Sequence, residues 1–239
     1  MGSSRLPGKS LAEIAGRPLL QHVIERAQAA KTVHEVIVAT TWESADRAIH
    51  DLAERCGAYC FSGSIDDVLD RFYQAAWLSH AAIVVRLTAD DPFKDPVIID
   101  RIVQRLLDHP ELDYVSNTVA PTFPEGLDVE AVRIRALGRA WKHASRPSDR
   151  EHVTPFIWRQ PGRFRIGQIE HPRDLSHMRW TIDYPQDLEF ARAVASRLPG
   201  NPGMREILTL LEREPGLARI NDHISRNEGY LASLQKELV

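Results

Sequence analysis

Val84-Val85-Arg86-Leu87-Thr88-Ala89-Asp90-Asp91-Pro92 is the stretch on which the reading of the fold turns. Its first half is short, apolar and β-branched, the composition of a strand buried on both faces. Its second half sets two carboxylates just past the strand's C-terminal end, the edge at which open α/β sheets bind ligands. Upstream, Glu35-Val36-Ile37-Val38-Ala39-Thr40 repeats the buried-strand signature, and both runs read as parallel strands. Between them Leu19, Leu20, Val23, Ile24 and Ala27 fall at helical spacing within 18–30, and 44–56 continues likewise. Alternation of this kind predicts an α/β fold.

The rest of the chain keeps that rhythm for a while. Ser64, with Asp67 three residues on, reads as a capping box opening a helix over 66–79, with Val68, Leu69, Phe72 and Ala76 on one stripe. A helix is expected to start near Pro96, strands over 113–116 and 129–132, and a helix over 134–144. Arg179-Trp180-Thr181-Ile182-Asp183-Tyr184-Pro185 again reads as strand, Asp, then Pro opening a helix over 186–197. The breaker cluster Leu198-Pro199-Gly200-Asn201-Pro202-Gly203 marks a boundary. It divides a main domain over 1–197 from a helical extension over 198–239. In that extension Ile207, Leu208, Leu210 and Leu211 form an apolar stripe, for which the domain core is the expected partner.

Composition narrows the function classes. The chain has 239 residues with 30 basic and 33 acidic side chains, a net charge of -3, so no basic footprint points to a nucleic acid. Ordinary glycine and proline usage excludes collagen-like and low-complexity readings. Cys56 and Cys60 stand without a second pair or a matched His, so neither a disulfide framework nor a zinc site is indicated. Both read as free thiols in a reducing cytoplasm. No apolar run reaches membrane-spanning length and no signal peptide is present, so a cytoplasmic location with no membrane partner is expected.

The opening, Met1-Gly2-Ser3-Ser4-Arg5-Leu6-Pro7-Gly8-Lys9-Ser10, is a small-residue loop ahead of a helix. Gly2, Ser3 and Ser4 let backbone N–H groups converge on anionic oxygens, while Arg5 and Lys9 add forked and point positive charge. A Walker A loop is a poor fit, because Gly2 and Gly8 enclose five residues and no strand precedes them. A plain surface turn or a tag remnant also fits these ten residues taken alone. Asp90 and Asp183 share a setting, each between a strand-like run and a proline. Singly, each could be a helix N-cap. Together they suit Mg²⁺, which proteins hold with one or two carboxylates and complete with phosphate oxygens and water.

The segments GSSRLPGK, GSIDDVLDRFYQAA, VVRLTADDP, DYVSNT, PEGLDVE, SDREHVTPFI and TIDYPQDLEF, in that order, resemble the cytidylyltransferases of spore-coat polysaccharide biosynthesis, the SpsF-like branch of the acylneuraminate cytidylyltransferases. The likeness runs from residue 1 to about 197. Asn221-Asp222-His223 and Arg226-Asn227-Glu228-Gly229-Tyr230 are similar to extensions in that group. The resemblance implies a Rossmann-like, GT-A-like nucleotidyltransferase: a three-layer α/β sandwich with a mostly parallel sheet. Such an enzyme would join CMP from CTP to an acidic sugar or related anionic acceptor for surface polysaccharide synthesis, releasing pyrophosphate with Mg²⁺ as cofactor. It places Gly2, Ser3, Ser4, Arg5 and Lys9 at the triphosphate, with Lys9 and Arg5 catalytic. Asp90 and Asp183 would sit on the metal, and Asp128, Glu130, Arg150 and His152 on the acceptor. Arg150 could pair bidentately with an acceptor carboxylate, or Arg150 and Glu151 could merely open a helix.

Members of that group carry an apolar strand ahead of the loop. The expectation is therefore that the first strand of the sheet is missing from the chain as given. Either the functional protein extends upstream or the chain is a truncated product of poor stability. A homodimer is the assembly such relatives commonly form. Two further readings stay open: a catalytically silent relative that binds a nucleotide or activated sugar, and transfer from another nucleoside triphosphate. Phosphates and metal do not report the base. The acceptor, a nonulosonic acid or a small phosphorylated acid, is not chosen by any residue.

Overall fold

The computed structural model describes residues 5–237, apart from the side chain of Lys236. A tight hairpin of β1 (Glu13–Ile14) and β2 (Arg17–Pro18) leads into α1 (Leu19–Gln28), which buries Leu20, Val23, Ile24 and Ala27 as their spacing predicts. β3 (Ile37–Thr41), α2 (Arg47–Arg55) and β4 (Tyr59–Gly63) form a parallel unit, with Ile37 opposite Tyr59 and Thr41 opposite Gly63. Then come α3 (Val68–Leu78), β5 (Ile83–Arg86), α4 (Pro96–Asp108), β6 (Tyr114–Ser116), β7 (Glu130–Arg133), α5 (Ile134–His143), α6 (Pro147–His152), α7 (Pro155–Trp158) and β8 (Ile166–Gln168). α8 (Pro185–Arg197), α9 (Met204–Arg213) and α10 (Glu228–Lys236) complete the chain.

The second sheet has the order β5-β7-β6-β8. β7 enters antiparallel to both neighbours, while β6 and β8 are parallel. The parallel partner expected for 81–87 is thus not found there: β5 pairs with β7, antiparallel. The period-two alternation of this sheet makes the layers. Val115 and Ala131 face the main core, with α4, α8 and α9 beyond them, while Tyr114 and Val132 face a second core against α3 and α5. Both faces are dry, which explains the unbroken apolar runs.

Among the described residues no ladder joins the two sheets, so β3 and β5 each have one strand partner. Their residues are correspondingly less buried than those of β6: all of β5 and the first three residues of β3 are half-buried, whereas Tyr114, Val115 and Ser116 are fully covered. A cavity of about 560 Å³ lies beside β3, lined by Leu20, Val38, Ala39, Thr40 and Ala89.

Other boundaries move for physical reasons. α3 begins after Asp67, whose Oδ1 accepts the Asp70 N–H at 2.8 Å, while the Ser64 hydroxyl accepts only from Asp66. Residues 179–182 form no strand, since only Arg179 bridges to Glu125. Gly126, at φ 103°, lies so close to the Trp180–Thr181 backbone that any Cβ would stand 2.7 Å from it, which seats the 125–128 loop on the 180–183 loop. The Ile207, Leu208, Leu210 and Leu211 stripe of α9 joins the main core. Asp95 ties that helix in, capping α4 through Val97 N–H at 2.9 Å and α9 through Met204 N–H at 2.8 Å. Cys56 and Cys60 are free thiols, and burial pushes Cys60 up to about 11. Among the described residues no helix is long and apolar enough to cross a membrane.

Candidate functional site

A cavity of about 760 Å³ opens where the loops after β5 and before α8 meet the N-terminal loop. Lys9 sits at its base. Gly8, at φ 71°, turns the chain into the 3₁₀ segment Lys9–Leu11. From there the Lys9 ammonium donates to Asp90 Oδ2 at 2.8 Å, Asp183 Oδ1 at 2.7 Å and the Ile182 carbonyl at 3.0 Å. The Asp90 carbonyl accepts the Ile182 N–H at 2.9 Å, clamping the two aspartate loops together. Arg5 adds Nη2 to Asp183 Oδ1 at 2.9 Å, and Arg179 adds Nη2 to Asp183 Oδ2 at 3.2 Å.

Neither aspartate is a helix cap. α4 starts at Pro96 under Asp95, five residues past Asp90. At α8 the capping carboxylate is Asp187, whose Oδ2 accepts the N–H groups of Asp183 and Tyr184, both at 2.9 Å. Asp187 is itself fully buried and held by Arg179 and Asn221. Those partners leave the Asp183 carboxylate to face the cavity. Asp91 pairs with fully buried Lys94 at 2.6 Å and accepts the Thr88 hydroxyl. Both carboxylates of the sequence's pair line the cavity, Asp90 on Lys9 and Asp91 braced by Lys94.

The electrostatics follow from this crowding. Burial alone would raise Asp183, but Lys9 and Arg5 overcome it and hold the carboxyl down at about 2. Burial would likewise lower Lys9, yet Asp90 and Asp183 raise it, so the ammonium stays charged. Arg179 is kept charged in a buried position by Asp187, Glu125 and Asp183. Two oxygen-donor carboxylates already converging on one cation are suitable for Mg²⁺. Among the described residues no group of three or more His, Cys, Asp or Glu side chains forms a closed metal cage. Arg5 and Lys9 line the cavity and both pair with Asp183, while Gly2, Ser3 and Ser4 lie outside the described residues.

Of the expected acceptor residues, Asp128, Glu130 and His152 line the cavity. Glu130, at the start of β7, is buried and its oxygens are taken by Arg86 Nη1 at 2.5 Å, Tyr114 hydroxyl at 2.6 Å and the Thr154 hydroxyl. It lines the cavity and fixes Arg86 there. Asp128 is raised by burial and grips Arg226 Nη2 at 2.5 Å. His152 lines the cavity with its Nε2 3.1 Å from the Ser233 hydroxyl, and burial lowers it. Arg150 does not line the cavity. Its Nε lies 3.0 Å from Asp67 Oδ2 and its Nη1 2.7 Å from the Trp141 carbonyl, so it locks α6 to α3 and α5. The guanidinium groups that do line the cavity beside Arg5 are Arg86 and Arg226, which sequence reasoning left out. Arg86 sits inside the deciding stretch, and its charge in an otherwise apolar run was the signal available.

The C-terminal residues supply a wall. Asn227 N–H donates to Glu125 Oε1 at 2.9 Å, the Tyr184 hydroxyl to Glu228 at 2.7 Å, and Ser148 N–H to Glu237 at 2.5 Å. Gly229, Tyr230, Ala232 and Ser233 of α10 then face the cavity. Burial pushes Glu125 up to about 7 against the pull of Asn227 N–H and Arg179.

A family model described as cytidylyltransferase matches residues 1–212. The spore coat polysaccharide biosynthesis protein SpsF of Bacillus subtilis is 30% identical over 231 residues, covering 91% of this chain and 93% of that protein. The 3-deoxy-manno-octulosonate cytidylyltransferase of Anaeromyxobacter sp. is 30% identical over 228 residues, covering 81% and 93%. A solved cytidylyltransferase from Leptospira borgpetersenii superposes with a TM-score of 0.88 at 29% identity, over 91% of this chain and 92% of that one.

Proposed function

The chain belongs to the cytidylyltransferase family, and from that premise we propose that it transfers CMP from CTP to the hydroxyl of a sugar acid, releasing pyrophosphate with Mg²⁺ as cofactor. The observation that carries the reading is the Lys9 ammonium shared between Asp90 and Asp183 at the cavity base. In this reaction the acceptor oxygen forms a bond to the α-phosphorus, the bridge between the α- and β-phosphates breaks, pyrophosphate leaves, and the hydroxyl proton passes to solvent. Little covalent work falls to the protein, so positioning and charge neutralisation dominate.

Asp90 and Asp183 would hold the magnesium ion, which when bound supplies charge neutralisation and orientation at the phosphate oxygens. Lys9 and Arg5, both pairing with Asp183 in this structure, are the cations placed to exchange that partner for phosphate oxygens. Arg179 stays behind to orient Asp183 through the same buried network that caps α8. The product would be an activated sugar acid of the kind that surface-polysaccharide transferases consume.

The test is pyrophosphate release with Mg²⁺, offering CTP, UTP, GTP and ATP in parallel against 3-deoxy-manno-octulosonate, neuraminic-type acids and small phosphorylated acids. Release confined to CTP with a sugar acid is the expected result. Release from another triphosphate would overturn the base assignment, and release with phosphorylated acids alone would overturn the acceptor class.

A further inference from the structure

We propose that Arg86 and Arg226 form a paired clamp for the anionic group of the acceptor, so that the C-terminal tail contributes directly to acceptor recognition. The inference rests on the cytidylyl-transfer reading. Both residues line the large cavity, yet they come from distant parts of the chain, Arg86 from the end of β5 and Arg226 from the turn before α10.

Their anchors are adjacent. Asp128 and Glu130 lie two residues apart on the segment entering β7. The intervening alternation is visible in Val129 and Ala131, which both point into the main core. Asp128 and Glu130 therefore project to the other side, about 7 Å apart along an extended chain. Arg86 rests on Glu130 through Nη1, and Arg226 rests on Asp128 through Nη2 while Nη1 donates to the Phe123 carbonyl at 3.0 Å. Tyr114 and Thr154 fix Glu130 in turn.

Each guanidinium is thus held through one part of its fork while its side chain stays partly open, 17% exposed for Arg86 and 15% for Arg226. The Nε atoms are sealed from the cavity, so an arriving carboxylate meets the Nη–H groups and accepts charge-assisted hydrogen bonds from them. Arg150, the guanidinium that the resemblance nominated for this task, is already committed to Asp67 and the Trp141 carbonyl. Arg226 also lies beyond residues 1–212, the span shared with the family model, so this half of the clamp is not part of the family's common core.

The experiment is steady-state pyrophosphate release from CTP and Mg²⁺ with 3-deoxy-manno-octulosonate as the probe acid, for the unmodified chain, Arg226→Gln and Arg226→Lys. In Arg226→Gln the KM for the acid should rise about 10- to 100-fold, with the KM for CTP within about twofold, the loss expected for a charge-assisted contact. Arg226→Lys keeps a charge on Asp128 but loses the fork, and should recover only a small part of the acid affinity. A rise in both KM values together, or in neither, overturns the clamp and makes Arg226 a brace for the tail. If the unmodified chain turns over no sugar acid, the transfer reading fails on its own. The clamp is then read by calorimetric titration of the same acid: weaker binding to Arg226→Gln sustains it, while equal binding, or none to the unmodified chain, overturns it.

Discussion

The corner made by Lys9, Asp90 and Asp183 and the wall made by Arg86, Glu130, Asp128 and Arg226 both gather charge in a half-dry cavity, but they balance it differently. At the corner one ammonium is divided between two carboxylates, and Arg5 and Arg179 add to Asp183 alone. At the wall each guanidinium has its own carboxylate, Arg86 with Glu130 and Arg226 with Asp128. The divided arrangement suits a polyphosphate that arrives with a cation, because partners can be exchanged as charge enters. The one-to-one arrangement resists exchange and presents fixed donors, which suits discrimination between acceptors.

Substitutions that separate the two regions come first in size. Asp183→Asn should keep the fold and lower Mg²⁺-dependent turnover by about 10²- to 10³-fold, the scale of losing one preorganised electrostatic contact to the reacting group. Pyrophosphate release across a Mg²⁺ titration reads it, and unchanged turnover would erase the distinction between corner and wall. Lys9→Ala should reduce kcat/KM for CTP by about 10- to 100-fold. It would also leave Asp90 and Asp183 facing each other without their shared cation, so the melting temperature should become Mg²⁺-dependent. A melting curve indifferent to Mg²⁺ would show that the two carboxylates do not form a common cation site.

Arg150→Ala sharpens the comparison from the other side. Because Arg150 ties Asp67 to the Trp141 carbonyl outside the cavity, its loss should cost about 1–3 kcal/mol of stability in a denaturant titration. The acceptor KM should stay within about twofold of its original value. A large acceptor effect would return Arg150 to the binding surface.

The smallest effect concerns Glu125, which receives the tail through Asn227 N–H. Burial raises its folded pKa from the usual 4.5 to about 7. An acid raised on folding binds more protons in the native state between those values, so its contribution to stability is full at low pH and declines as pH rises from about 4.5 to about 7. Glu125→Gln should flatten that part of the stability curve. An unchanged slope would show that another group sets it.

Much of this was legible in the residues themselves. The apolar runs at 35–40 and 81–87, the helical stripes at 19–27 and 207–211, and the setting of Asp90 and Asp183 needed only period and polarity to be read. Sheet pairing was less accessible, because the run at 81–87 looks the same whether its neighbour runs parallel or antiparallel. The strand expected at 179–182 failed for a related reason: β propensity describes a side-chain surface, and the backbone here is taken up by the loop contact with Glu125 and Gly126.

Local chemistry, then, determined that this chain is α/β, that its opening loop carries cations and its carboxylates at 90 and 183 share a setting, and that a cytidylyltransferase-like order of motifs runs along it. Only the tertiary structure decided that Asp90 meets Lys9 while Asp91 is taken up by Lys94, that Asp187 and Asp95 cap the helices in place of Asp183 and Asp90, and that Arg150 leaves the cavity to Arg86 and Arg226. The physical reason is that a charged side chain's role depends on which partners come within about 3 Å of it, and in this site Arg5 and Lys9 meet Asp183 across most of the chain.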